Sequence, residues 1–262
     1  MEIEKIKQIG TRAAYRGGEV LKRHFGNLKA VRKKGAIDLV TEADIQSEQA
    51  IVETIRSAFP HDGILAEETG SIQGTTEGLW IIDPLDGTTN FIHGLGIFAI
   101  SIAFCHCDKP VFGIVFNPST GELFTAAEGQ GAWLNGRAIA VSNTESLDDS
   151  LLVTGFPYDR ERMIAAPLKR FGRCLPAAQG VRRLGSAALD LCYVACGRFD
   201  GFWEEYLKPW DTAAGMLVAL EAGGKITNFQ GQPFSIGAEK ILATNGRIHT
   251  EMIKLLNIEE SK

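Results

Sequence analysis

Apolar residues recur at helical spacing through the first two dozen positions. Ile3, Ile6, Ile9, Ala13, Val20, Leu21 and Phe25 form one stripe, which predicts a helix over residues 2–25. A second stripe, Ile45, Val52, Ile55 and Phe59, predicts a helix over 42–59. Thr41 supplies its N-cap, Asp44 completes a capping box, and Pro60 closes it. The period then shortens. Runs at 79–83, 96–105, 111–117, 122–127 and 131–134 are apolar or alternating and are split by Gly, Pro and Asn, which predicts an antiparallel meander. Asn135-Gly136 marks a tight hairpin. From about residue 142 the rhythm becomes α/β: strand 151–154, a helix near 159–171, helix 187–196, strand 201–204 and helix 212–221. Strands 225–228 and 241–244 and a helix over 248–256 complete it.

Composition adds the setting. The chain has 262 residues, 45% of them apolar and 23% charged, as in ordinary globular proteins. No low-complexity linker and no repeat of 20–50 residues interrupts it, so it reads as one unit. Its two halves, about 1–141 (α+β) and 142–262 (α/β), are expected to share a cleft. A net charge of −5 without a Lys/Arg stripe argues against a nucleic-acid partner, and Arg32-Lys33-Lys34 reads as a solvated loop. No apolar run approaches membrane-spanning length, and a charged N-terminus is unlike a signal peptide. Five cysteines do not suggest a disulfide framework, and the expected location is a reducing cytoplasm. Cys105-His106-Cys107 offers zinc-type donors, but the other cysteines lack paired ligand spacing and the preceding segment reads as a core strand. No zinc site is read there.

The chemistry concentrates in Trp80-Ile81-Ile82-Asp83-Pro84-Leu85-Asp86-Gly87-Thr88-Thr89-Asn90-Phe91. A buried strand stops at two acids around a proline that lacks an N–H, and a short helix can open at Gly87. Paired carboxylates beside a helix start are what holding Mg²⁺ against a phosphate requires. Glu67, Glu68, Asp44 and Asp211 are further candidates, each with a plainer reading: an exposed strand end for the glutamates, a capping-box acid for Asp44, an N-cap for Asp211. Acids that follow apolar runs are held rigidly, and several converging on one spot repel one another unless cations neutralise them. Glu204 is either an acceptor for sugar hydroxyls or an ordinary strand-end acid. Arg182 and Arg183, on opposite faces of a strand, give one side chain to the cleft. Lys34 is a candidate neighbour of the phosphate, and His93 reads as packed or solvated.

Asp83 to Phe91, together with Pro209-Trp210-Asp211-Thr212-Ala213-Ala214-Gly215, resembles the paired signatures of the inositol monophosphatase family. Glu67-Glu68, Leu39-Val40-Thr41-Glu42-Ala43-Asp44 and Gly185-Ser186-Ala187-Ala188 are similar to its further motifs, so the likeness spans nearly the whole chain. The resemblance implies a five-layer αβαβα sandwich of the sugar-phosphatase superfamily, usually homodimeric. It also implies a Mg²⁺-dependent phosphatase sensitive to Li⁺, with two or three Mg²⁺ ions per site. Glu67, Asp83 and the Leu85 carbonyl would hold one ion, and Asp83, Asp86 and Asp211 a second, with a third near Glu67. Asp44 and Thr88 would prepare the attacking water, with Glu67 beside them. The Gly87 and Thr88 amides would cradle the phosphate. Arg182, Glu204 and the Gly185-Ser186-Ala187 segment would meet a small phosphorylated polyol or sugar.

The spacing Asp83-x-x-Asp86 lacks the Asp-x-Asp-x-Thr pattern of phospho-aspartate phosphatases, and no Gly-x-x-x-x-Gly-Lys-Ser/Thr loop is present. Inositol 1-phosphate is the expected substrate. Fructose 1,6-bisphosphate and histidinol phosphate stay open, as does a catalytically idle regulator that binds a protein. Specificity is expected in residues 158–178.

Overall fold

The computed structural model describes residues 2–27, 31–33, 39–157 and 163–258. Lys34 and the first residues of the helix expected near 159 lie outside them.

The helices are α1 (Ile3–His24), α2 (Glu42–Ala58), α3 (Thr88–Ile92), α4 (Ala165–Cys174), α5 (Ala187–Ala195), α6 (Pro209–Glu221) and α7 (His249–Leu256). The strands in chain order are β1 (Val31–Lys33), β2 (Leu39–Thr41), β3 (Gly63–Ala66), β4 (Gly70–Ile72), β5 (Gly78–Asp86), β6 (Ala99–His106), β7 (Lys109–Asn117) and β8 (Glu122–Ala127). They continue as β9 (Ala132–Leu134), β10 (Arg137–Ile139), β11 (Leu151–Thr154), β12 (Gly180–Arg182), β13 (Gly201–Glu205), β14 (Lys225–Thr227) and β15 (Lys240–Thr244).

β5 to β10 form the expected meander, extended by β3 and β4 into an eight-stranded sheet ordered β10-β9-β8-β7-β6-β5-β3-β4. The apolar run Ile64–Ala66 that precedes the glutamates is an interior strand, because β3 pairs in parallel with β5 and antiparallel with β4. A second sheet has the order β12-β11-β13-β15-β14.

Side-chain alternation builds the layers. Along β5, Trp80 and Ile82 face α1 and α2, whereas Ile81 faces α5 and α6. Along β13, Phe202 turns toward α5 and Trp203 toward α7. The result is a five-layer αβαβα sandwich: α1/α2, first sheet, α5/α6, second sheet, α4/α7. α5 and α6 are buried by sheets on both sides, and their alanines allow close contact. A Cβ on Gly113 of β7 would stand 2.8 Å from the Ala214 carbonyl oxygen, so glycine sets the spacing there.

Two helices differ from expectation. α6 begins at Pro209 instead of Thr212, since proline suits a first helical turn whose N–H needs no partner. Of the helix expected near 159, the described residues include Ala165–Cys174, which extends past Phe171.

Arg170 ties the outer layer together. Its Nη1 meets Glu205 Oε1 at 2.7 Å and its Nε donates to the Leu256 carbonyl at 2.9 Å, with both side chains of the pair 2% exposed. Removing one partner of a buried pair is costly, so Arg170→Met is expected to destabilise the fold by about 3–5 kcal/mol in urea unfolding.

Candidate active site

β5 delivers the first acids. Its pairing with β6 shifts register between Asp83 and Asp86, where Pro84 has no N–H to give the ladder. Asp83 is buried, and its Oδ1 accepts the Leu85 N–H at 2.9 Å. Glu67 follows β3, and its N–H donates to the Ile82 carbonyl at 3.2 Å, which sets it beside Asp83.

Asp86 reaches across the seam between the halves. Its Oδ2 accepts the Ser186 hydroxyl at 2.6 Å and the Ala188 N–H at 2.8 Å, at the start of α5. Asp211 is the third residue of α6, not its N-cap; its Oδ2 accepts the N–H of Lys208, the residue that does occupy the cap, at 2.6 Å.

These four acids act on one another. Burial, then the charges of Glu67, Asp86 and Asp211, push Asp83 well above the ordinary carboxylate range. Burial and Asp86 do the same to Asp211. Asp86 is raised to about 6 by burial, against the bonds from Ser186 and Ala188. Among the described residues, no three of these carboxylates bring oxygens within 4.8 Å of one another. All-oxygen donors with surplus negative charge suit a hard divalent cation.

A second constellation flanks them. Thr88 donates its hydroxyl toward Asp44 Oδ1 at 3.2 Å and the Leu85 carbonyl at 3.1 Å. Asp44 is the capping-box acid and also turns toward Thr88: Oδ2 accepts the Thr41 N–H at 2.8 Å and Oδ1 faces the Thr88 hydroxyl. Burial raises its pKa despite these bonds. Gly87, at φ 94°, precedes the five-residue α3. A Cβ there would lie 2.9 Å from the Ile97 carbonyl and 3.2 Å from that of Gly185, so only glycine lets the three segments meet.

The far wall comes from the second half. A small recess of about 60 Å³ is lined by Asp86, Arg183, Ser186, Glu204 and Asp211, with Gly185 and Ala187 at its rim. Glu204 packs against Gly155, and burial with the charge of Asp211 pushes it up to about 8. Arg182, expected to meet the substrate, does not line this recess. It is exposed, with its guanidinium on the Val181 carbonyl at 3.2 Å. Adjacent residues of an extended segment point opposite ways, and Arg183 is the one whose charge Asp86 and Glu204 feel. His93 is exposed.

Three residues went unnoticed in the sequence. Glu48, 2% exposed, accepts the Glu68 and Thr69 N–H groups at 2.8 Å each and so fixes the turn that carries Glu67. Its signal was its place one helical turn after Asp44. Asn90 donates to the carbonyls of Ile97 at 2.7 Å and Leu184 at 2.8 Å, joining the halves. Asp190 is fully buried and neither of its oxygens has a hydrogen-bond partner among the described residues; burial and Glu204 push it well above its ordinary range. Nothing in its local sequence marks it.

Buried acids beside a helix start are a chemistry suited to phosphoric monoesters, and comparison with known proteins sets the class. Residues 2–261 match the model of the inositol monophosphatase family, and the chain belongs to that family. It is 47% identical over 257 residues to an inositol-1-monophosphatase of Synechocystis, covering 97% of this chain and 90% of the relative. It is 44% identical to a protein of Pseudomonas aeruginosa named Nus factor SuhB, covering 93% of this chain and 92% of that one. The solved structure of inositol monophosphatase from Anabaena superposes with a TM-score of 0.88 at 43% identity, covering 98% of this chain and 96% of that one.

Proposed function

We propose that the protein hydrolyses inositol 1-phosphate to inositol and phosphate with Mg²⁺ as cofactor. The observation that carries this is the cluster of Glu67, Asp83, Asp86 and Asp211, drawn from both halves, in which the charges of the others push up Asp83 and those of Asp86 and Glu67 push up Asp211. These acids and the Leu85 carbonyl would hold two or three cations. When bound, the cations supply positive charge against the acids and the phosphoryl oxygens and make water easier to deprotonate.

The chain's own groups do the rest. Thr88 orients the attacking water and passes its proton to Asp44, whose raised pKa lets it hold that proton. The water oxygen bonds to phosphorus as the ester P–O bond breaks. Thr88 and Gly87 amides, in a first turn without intrahelical acceptors, meet the phosphate oxygens. Glu204, Arg183, Ser186 and the Gly185–Ala187 backbone face the polyol. We further propose a cytoplasmic homodimer; no described helix is long and apolar enough to cross a membrane.

The test is a panel of inositol 1-phosphate, fructose 1,6-bisphosphate and histidinol phosphate, each with Mg²⁺ and with EDTA. Inositol 1-phosphate is expected to turn over fastest, and only with the metal. A preference for another ester would move the substrate assignment, and no hydrolysis of any would favour a protein-binding regulator, a reading supported by the relative named as a Nus factor.

Glu48 gives a finer check. Partners that hold a metal ligand in place typically affect metal affinity 10–100-fold. Glu48→Ala is therefore expected to weaken activation by Mg²⁺ about 10–100-fold with little change in kcat at saturation, read from Mg²⁺ titrations of activity.

A further inference from the structure

We propose that Glu77, His106 and Cys107 form a separate site for a borderline-soft divalent cation, Zn²⁺, remote from the catalytic acids. The imidazole and thiol belong to the end of β6 and its turn, and the carboxylate comes from the residue before β5. One ligand atom of each lies within 4.8 Å of the other two. Cys107 Sγ is 3.3 Å from Glu77 Oε2, and His106 Nε2 is 3.7 Å from the same oxygen. Donors bound to zinc at about 2.0–2.3 Å in a tetrahedron stand about 3.6 Å apart, so the two separations from Glu77 Oε2 are close to that spacing already.

The donor set selects the metal. Thiolate, imidazole and carboxylate are the ligands zinc takes, whereas Mg²⁺ demands oxygen. On binding, the Cys107 thiol releases its proton to solvent, and thiolate and carboxylate together balance the cation's two charges. Water takes the fourth position, since Glu77 and Cys107 are exposed and open onto a cleft of about 520 Å³ shared with Asp108, Gln73 and Thr76.

The backbone holds the ligands in place. Gly78 pairs with His106 across the sheet, and the Cys107 N–H donates to the Glu77 carbonyl at 3.4 Å. Cys107 and Asp108 are the central pair of the two-residue β6–β7 turn, at φ 49° and 62°. Asn, Asp and Gly favour that left-handed geometry, and a cysteine held there is an outlier of the kind that gathers at functional positions. The sequence showed His106 and Cys107; it did not show Glu77, twenty-nine positions earlier. Along β5, from Glu77 to Asp83, six residues at about 3.3 Å each separate this triad from the acids by roughly 20 Å.

Cys107 is the exposed cysteine of the five, so its alkylation reports occupancy. The intact protein in excess Mg²⁺, which keeps the catalytic acids occupied, is treated with iodoacetamide with and without Zn²⁺, and Cys107 modification is followed by mass spectrometry. Zn²⁺ is expected to slow modification at least tenfold in the parent protein, and Glu77→Gln and His106→Gln are expected to lose most of that protection. Co²⁺ is expected to give a thiolate charge-transfer absorption that Cys107→Ser abolishes. An unchanged modification rate with Zn²⁺, or equal protection in the Glu77 and His106 variants, overturns the site. Neither result bears on phosphatase activity, so this test stands apart from the catalytic one.

Discussion

Asp83→Asn is expected to lower turnover on the order of 10³-fold or more, because it removes a carboxylate that would hold the cations on which transition-state charge is met. The same substitution is expected to raise the melting temperature of protein stripped of divalent cations at neutral pH. Asp83 is held well above its ordinary range by burial and by Glu67, Asp86 and Asp211. A carboxyl whose folded pKa is raised binds more protons folded than unfolded. Its contribution is therefore fully present below the unfolded value near 4 and is lost as pH rises through its raised folded value; Asp86, raised to about 6, loses its own share in the same direction. The stripped protein should thus lose stability between about pH 4 and neutrality, and Asp83→Asn should flatten that loss. Mg²⁺ at a hundred times its Kd restores about 2.7 kcal/mol. Thermal melts in EDTA at several pH values check the sign. A variant that melts lower than its parent at neutral pH would contradict the mutual repulsion on which the site rests.

Thr88→Ala is expected to reduce kcat by about 10²–10⁴-fold, the usual contribution of a positioned proton-transfer group, while Mg²⁺ still stabilises the protein as before. The hydroxyl is 3.2 Å from Asp44 Oδ1, and alanine leaves the water without its link to that carboxylate. Thr88→Ser, which keeps the hydroxyl, is expected to recover most of the rate. Steady-state kinetics and Mg²⁺-dependent melting separate loss of the relay from loss of metal. Unchanged turnover in Thr88→Ala would refute the role.

Local rules made much of this readable. The capping box of Thr41 and Asp44, the strands at 122–127 and 151–154 and the Asn135-Gly136 hairpin are decided within a few residues, and the structure has all of them. The layer order was legible only through family resemblance. Side-chain direction was harder. Arg182 and Arg183 are indistinguishable by composition, and only the end of β12 decides which meets the recess. Long-range partners left no trace at all: Ser186 and Ala188 lie 100 and 102 positions from Asp86, and Glu48 lies 20 from the amide of Glu68 that it anchors.

The bonds of Asn90 to Leu184, Ser101 to the Trp210 carbonyl and Asp86 to Ser186 join the two halves that supply the acids. Catalytic competence is therefore a property of the assembled chain, not of either sheet. A fragment ending near residue 145 would keep Asp44, Glu67, Asp83 and Asp86 yet forfeit Asp211 and both residues that anchor Asp86. As denaturant loosens the protein, hydrolysis should vanish at the first parting of the two halves, ahead of or together with the loss of helical signal.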